Sequence, residues 1–265
     1  RQHTWRRRPE RGLHREVSSE SQMPVTMRDT NEALTGLLEK YGVRKTSEYS
    51  FVPGSSVIEA SLPDERTIPL QPWRSSRRFI ELFKLVDSHT LEDVCQLRFS
   101  NCAVTGTSIE SILYEEFDLC EYIGQGEIVS VNAVFSGRQA CNVILRLDNG
   151  IIGSIEASCL LPEGSQGTSR HEVVARRGVA NDVPVDVQRQ QQSIYLYTKD
   201  GCQGFRDEDF ELFGLDDNEI MMVRAEFDFY KSGADAQSQR DRHNHLRSVV
   251  EATVESDITH RRIDI

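Results

Sequence analysis

Long apolar runs are missing from this 265-residue sequence. No stretch approaches the ~20 residues that span a bilayer. The first twenty residues lack the apolar centre of a secretory signal. A soluble protein without a membrane partner is expected. Positive charge is also in short supply. Against 42 Asp and Glu stand 31 Lys and Arg, giving a formal net charge of −11. That balance argues against nucleic-acid binding through a basic face. C-x-x-C pairs are absent. The six cysteines (Cys95, Cys102, Cys120, Cys141, Cys159 and Cys202) sit mostly in apolar patterns, where a thiol behaves as a small hydrophobe. A reducing, cytoplasmic setting is expected. A G-x-G-x-x-G turn between a strand and a helix is absent too. Gly124-Gln125-Gly126 ends a helix and opens a strand, which is the wrong context for a pyrophosphate. No metal site is expected, because His243 and His245 are two residues apart and diverge on a helix.

What is present is a soluble core with clear periodicities. Residues 1–16 gather six arginines and two glutamates and read as a solvated segment outside the fold. Residues 26–41 read as a helix with Ala33, Leu34, Leu37, Leu38 and Tyr41 on one face, stopped by Gly42. Prolines break the pattern over residues 53–78, where short strands near residues 57–62 form a hairpin closed at Pro63-Asp64. Residues 76–87 read as a short helix and residues 94–99 as a strand. Residues 107–123 are the clearest helix, with Ile109, Ile112, Leu113, Phe117 and Cys120 at helical spacing and Gly124 as the stop.

Past residue 126 the period switches to that of a strand. Val129, Val131, Ala133 and Phe135 alternate with their neighbours, as do Cys141, Val143, Leu145 and Leu147. Asp148-Asn149-Gly150 makes the hairpin turn, since Asn and Gly accept positive φ. Residues 151–160, 171–176 and 193–199 read as further strands, and residues 218–231 and 236–256 as helices. This order predicts an α+β fold, with an open, mostly antiparallel sheet and helices on one face.

Three stretches carry a resemblance. Gln22-Met23-Pro24-Val25-Thr26 precedes the first helix and Gly42-Val43. Residues 105–126 hold a turn and a helix with acidic residues. The end reads HLRSVVEATVESDITHRRIDI. In this order and spacing they resemble the Gfo/Idh/MocA family of oxidoreductases. The resemblance implies a Rossmann domain followed by an α/β domain. The open sheet of that second domain mediates homodimers or homotetramers, and its other side faces a small sugar-like substrate. It divides the chain into a segment at residues 1–21, the truncated end of a Rossmann-type nucleotide-binding domain at residues 22–52 and the sheet domain at residues 53–265. It implies NAD or NADP as cofactor, with Met23 and Pro24 at cofactor-binding positions.

The family's catalytic Lys falls on Met23, its helix Asp on Ser111 and its His on Glu115, while the Asp three residues later is kept as Asp118. Ser111, Glu115, Asp118 and Tyr122 lie on one helical stripe, at i, i+4, i+7 and i+11. Glu115, Asp118 and Ser111 are therefore the candidate catalytic residues, and Tyr122, His171 and Arg176 the candidate substrate contacts. The activity implied is NAD(P)-dependent oxidation or reduction of a sugar, cyclitol or similar hydroxyl compound, impaired in this chain by Met23 and the missing glycine-rich turn. Two rival readings are a non-catalytic oligomerisation subunit that kept the sheet, and a hydrolase or lyase pairing Glu115 with Asp118.

Overall fold

The computed structural model describes residues 29–45, 50–53, 58–61, 67–176, 178–182, 194–198, 201–205, 209–212, 214–232 and 235–265. The candidate cofactor positions Met23 and Pro24 lie outside them.

The first described helix, α1 (Thr30–Tyr41), begins later than its sequence pattern predicts, because Asp29 caps it. The Asp29 carboxylate accepts from the Asn31 N–H, satisfying one of the orphan donors of the first turn. Gly42 closes the helix in the left-handed conformation with φ 64°. Strands β1 (Ser50–Pro53), β2 (Ile58–Ser61) and β3 (Thr67–Leu70) form a small antiparallel sheet. The hairpin expected near Pro63-Asp64 is the β2–β3 pair, in register from Ser61 opposite Thr67. The expected domain division at residues 52–53 falls inside β1, which pairs with β2.

A 3-10 turn at Pro72–Ser75 leads into α2 (Arg77–Asp87), then β4 (Val94–Val104) and α3 (Ile109–Gly124). After these come β5 (Ile128–Ser136), β6 (Ala140–Leu147), β7 (Ile152–Leu161), β8 (Thr168–Ala175) and β9 (Gly178–Asn181). A separate hairpin, β10 (Ile194–Thr198) with β11 (Gly201–Phe205), precedes α4 (Asp217–Ser232), α5 (Ala236–Thr259) and β12 (Ile263–Asp264). Strands β9 and β12 have too few residues to show a period of two in the sequence.

The main sheet has seven strands in the order β12-β5-β6-β7-β4-β8-β9. Every pair is antiparallel except β4 with β7. The chain leaves β4 through α3 and returns by way of the β5–β6–β7 meander, so the parallel pair is the crossover that seats α3 on the sheet. The architecture is α+β, with α2, α3 and α5 on one face.

Alternation sets the two faces of this sheet. Val131, Ala133, Cys141, Val143, Leu145, Ile155, Ala157 and Val173 point into the core under the helices, together with Phe79, Leu113, Phe117, Leu246 and Val249. The opposite face is open and displays Val134, Ile144, Ile152 and Leu160, the last of these 54% exposed. Residues of α1, β3 and α4 build a second core of their own around Leu37, Ile68 and Phe229.

The end of α3 departs from the sequence expectation. Its left-handed cap is Gln125, with φ 54°, and not Gly124. Gly124 is small for a packing reason, since a Cβ there would lie 2.5 Å from the Leu147 side chain and 3.1 Å from Leu97. The Asp148–Gly150 turn helps finish the helix, as the Asn149 amide donates to the Gly124 carbonyl at 2.8 Å.

Candidate active site

Strand β4 delivers α3 through a turn at residues 105–108, in which Gly106 takes φ 100°. Ser108 then caps the helix, accepting from the Ser111 N–H at 3.4 Å. This turn and cap fix where the first half of α3 stands over the sheet. Ser111 and Glu115, one turn apart, are both half-buried.

Glu115 is the candidate with acid–base character. Among the described residues no hydrogen bond or ion pair claims its carboxylate. Burial pushes its pKa up, the neighbouring Glu116 adds to that push, and Arg78 and His171 pull it back, leaving it at about 7. A carboxyl poised near neutrality exchanges protons in both directions, which is what general acid–base work requires.

Asp118 does something different. It has no exposed surface. The Trp73 indole donates to its Oδ2 at 2.6 Å, and Arg74 donates from Nε to Oδ2 at 2.7 Å and from Nη2 to Oδ1 at 2.6 Å. Both oxygens are therefore occupied by charged or neutral N–H donors, so Asp118 anchors the 3-10 turn to α3. This geometry gives no support to a paired-carboxylate hydrolase or lyase, because the second carboxylate is not open to a substrate or a water. Tyr122, half-buried, stacks on Phe83 with centroids 4.7 Å apart, and the Arg74 guanidinium covers it 4.9 Å from the ring. It packs within the same anchor.

His171 is enclosed in the core, 1% exposed. It stands on the helix-covered face of β8, edge-on to Phe79 and Phe99, at centroid distances of 4.7 and 4.9 Å. Its Nε2 lies 3.1 Å from Glu116 Oε2 and its Nδ1 lies 2.6 Å from Asp182 Oδ2. The Asn101 amide donates to the other oxygen of Glu116 at 2.8 Å, and Arg78 Nη1 reaches Asp182 at 3.4 Å. Burial works against a charged imidazole, but the pull of Glu116 and Asp182 exceeds it and raises the His171 pKa to about 9. The ring is held as a cation between two carboxylates. A substrate contact by His171, as read from the sequence, would need the ring at a surface, and the fold has placed it beneath α3.

Arg176 is not brought to these groups. It follows the end of β8, five residues beyond His171 and on the alternate side of the strand. There it is exposed and paired with Glu92 and Asp93, the closer contact being 3.0 Å. Arg177, its neighbour in sequence, lies outside the described residues. The His243 and His245 side chains diverge as their spacing implies. Nδ1 of His243 meets the Tyr114 hydroxyl at 2.8 Å, and Nε2 of His245 meets Glu121 at 2.7 Å. A shallow cavity of about 240 Å³, lined by Val86, His89, Leu91 and Gln125, lies at the far end of α3. It holds none of the candidate residues.

Glu116, Asp182, Asn101, Arg78, Trp73 and Arg74 were not singled out in the sequence. One signal pointed to Glu116. It falls in the apolar stripe of α3, seven residues after Ile109 and four before Cys120, where a carboxylate needs a buried partner. Nothing local marks Asp182 or Arg78.

No family model matches the sequence, and no curated protein does either. Solved structures do match. One is a probable dehydrogenase from Thermotoga maritima, with a TM-score of 0.54 and 21% identity over 73% of this chain and 62% of that one. Another is scyllo-inositol dehydrogenase from Lactobacillus casei with bound NAD(H) and scyllo-inositol, with a TM-score of 0.53 and 12% identity over 73% and 63%. A third is an oxidoreductase from Agrobacterium radiobacter in complex with NAD+, L-tartaric acid and magnesium, with a TM-score of 0.52 and 13% identity over 73% and 63%. This is the Gfo/Idh/MocA fold. The chain spans less than two thirds of the length of each of these three proteins. In the Gfo/Idh/MocA frame the open seven-stranded sheet is that of the C-terminal domain. Among the described residues no helix is long and apolar enough to cross a membrane.

Proposed function

We propose that this chain is the sheet-bearing part of an NAD(P)-dependent oxidoreductase acting on a sugar, cyclitol or related hydroxyl compound, with Glu115 as its proton-relaying group. The observation that carries this reading is the half-buried Glu115 carboxyl, at about 7, on the helix that follows the β4 turn. The cofactor supplies hydride exchange at a carbinol carbon, and the protein's part is to move the hydroxyl proton. Glu115 takes that proton as a carboxylate when an alcohol is oxidised and returns it as an acid in the reverse direction. Ser111, one turn earlier on α3, serves as a hydroxyl contact for the substrate. By the resemblance, Met23 and Pro24 take the positions where the family meets its cofactor. A thioether cannot relay a proton, so Met23 leaves that task to Glu115.

The neighbours in fold support the cofactor class, since one carries NAD(H) with scyllo-inositol and another NAD+. Among the described residues no glycine-rich turn makes a pyrophosphate cradle.

The test is turnover on a panel of cyclitols, polyols and sugars with NAD+ and NADP+, with cofactor binding followed by nicotinamide fluorescence. Glu115→Gln is expected to lower turnover by about 100-fold or more, with KM changed little. In the oxidative direction the wild-type rate rises as pH passes through about 7, where Glu115 becomes the carboxylate. Full activity in Glu115→Gln would remove its role. No turnover and no nicotinamide binding would remove the enzymatic reading.

One observation favours a second reading, in which the chain serves as a non-catalytic subunit and the open sheet face joins copies of it. Val134, Ile144, Ile152 and Leu160 stand exposed on that face, and such a patch marks an association surface. Light scattering is then expected to give a dimer or tetramer, and Ile144→Asp to give a monomer. A monomeric wild type would dismiss this reading.

A further inference from the structure

We propose that the outer edge of β5 is a self-pairing surface for a second copy of this chain, held shut by the Ser256 and Asp257 side chains at the end of α5. The device is independent of Glu115 and of turnover.

β5 borders the seven-stranded sheet, and β12 covers only one end of it. Ile263 lies opposite Val131 and Asp264 opposite Ser130, and the Ile265 N–H reaches the Val129 carbonyl at 3.0 Å. No strand among the described residues pairs with the outer side of residues 132–136. Their inner side is paired with β6, from Asn132 opposite Ile144 to Ser136 opposite Ala140. Alternation along the strand turns the N–H and C=O of Ala133 and Phe135 outward, away from β6. A bare row of such groups is a template for another strand.

Two side chains of α5 take the place of that strand. The Ala133 N–H donates to Ser256 Oγ at 3.0 Å, and the Phe135 N–H donates to Asp257 Oδ1 at 2.9 Å. Ser256 has no exposed surface. Its hydroxyl donates to the Arg261 carbonyl at 2.6 Å, which leaves the oxygen's lone pairs for Ala133. His260, left-handed at φ 53°, ends α5 and turns the chain back toward β12. The helix end and the short strand therefore close one edge between them, by strand pairing at Ser130 and Val131 and by side chains at Ala133 and Phe135.

The partner is a second copy because the edge is complementary to itself. With Ala133 of one copy opposite Phe135 of the other, each such pair exchanges two N–H···O=C bonds, and the two-fold axis passes beside Val134. Val134 then meets its counterpart at a non-hydrogen-bonded position, where facing side chains come closest. That residue is apolar and 68% exposed, so the pairing removes it from water. Such a contact lengthens the sheet sideways. It differs from association through the open face, which Ile144→Asp breaks.

The experiment uses the Ile144→Asp protein as background, so that association through the open face is removed. Light scattering is read with and without Ser256→Ala and Asp257→Ala together, and so is the oxidative cross-linking of Val134→Cys, located by mass spectrometry. With both side chains removed a dimer is expected, and cross-linking at position 134 about tenfold or more faster than in the background. Asp257→Asn keeps an acceptor oxygen and is expected to leave the background monomeric. If the double variant does not fold, Asp257→Ala alone decides. Its Phe135 amide, freed of its acceptor, is expected to exchange with solvent about tenfold or more faster in dilute protein, and its dimer fraction to grow with concentration. An unchanged Phe135 exchange rate, a monomer at every concentration, or a dimer that does not cross-link at position 134 overturns the proposal. Equal cross-linking with Ser256 and Asp257 intact overturns it as well, since Val134 would then belong to another contact.

Discussion

Asp118→Ala is expected to lose about 3–5 kcal/mol of folding stability, the range found when one partner of a buried, hydrogen-bonded charge pair is removed. Three short N–H donors converge on this carboxylate, from Trp73 and Arg74. Alanine leaves a partly buried guanidinium, 20% exposed, with no counter-charge, and an indole N–H with no acceptor. It also frees the 3-10 turn that leads into α2, and with it Tyr122, whose ring lies between Arg74 and Phe83. Asp118→Asn keeps the shape but turns one acceptor into a donor facing donors, so its loss should be smaller yet still above 1 kcal/mol or so. Removing both charges together, with Arg74→Met and Asp118→Leu, is expected to recover much of the loss, because no unpaired charge is then left inside. Urea unfolding with linear extrapolation reads all four proteins on one scale. A loss under about 1 kcal/mol for Asp118→Ala would show that the contact is not a structural anchor.

Stability is expected to fall in two steps as pH rises, and the signs follow from the groups in the core. His171 is charged in the folded state up to about 9 and in the unfolded chain only up to about 6.5. Its contribution is therefore full below 6.5 and is lost as pH rises through about 9. The difference corresponds to something on the order of 3 kcal/mol at full extent. Glu115 acts earlier and with the same sign. Its folded pKa, about 7, lies above the ordinary glutamate value of 4.5, so stability declines between those two values as a half-buried acid is forced to ionise. Glu226 on α4, pushed up to about 7 by burial, adds to that first step. Asp182 works the other way. Burial opposes its ionisation, the His171 partnership outweighs this, and its pKa falls below 3.8. Its contribution is present above 3.8 and is lost as pH drops through the lower folded value. The stability maximum should thus lie on the mildly acidic side. Glu115→Gln should flatten the first alkaline step and His171→Asn the second. Denaturant midpoints from pH 4 to 9.5 check both, and a profile still rising from pH 6.5 to 9 would contradict the assignment of His171 as a buried cation.

Most elements of the sheet domain were legible in the sequence, and the reason is local. The apolar stripe of Ile109, Ile112 and Leu113 recurs every three or four residues wherever a helix lies on a core. The alternation through Val131, Ala133, Val143 and Leu145 has the period of the strand itself. The Asp148–Gly150 turn was readable because only a few residue types accept its backbone angles. The errors were local as well. In the sequence Gly124 reads as a helix stop, but the left-handed residue is Gln125, and Gly124 is small because Leu147 and Leu97 press against it. Asp29 and not Thr26 begins the first described helix, because the side chain that reaches the first-turn N–H sets the start.

The site was legible in part. Helical spacing placed Ser111, Glu115, Asp118 and Tyr122 on one stripe, and all four are on α3. The stripe alone could not say that Asp118 would be consumed by Trp73 and Arg74, since those contacts join residues 45 and 44 positions apart.

By itself, then, the sequence determined the periods, the turns and the α+β order, because each depends on dihedral preferences and side-chain direction within a few residues. Only the tertiary structure decided which charges would be deprived of water. The parallel pairing of β4 with β7 seats α3 above β8. That seating closes Glu116 over His171 across 55 residues of chain, and β9 brings Asp182 to the other side of the ring across 11. Burial and a matched counter-charge are properties of neighbours in space. They turn an ordinary strand histidine into a buried cation and an ordinary helix glutamate into an acid poised near neutrality.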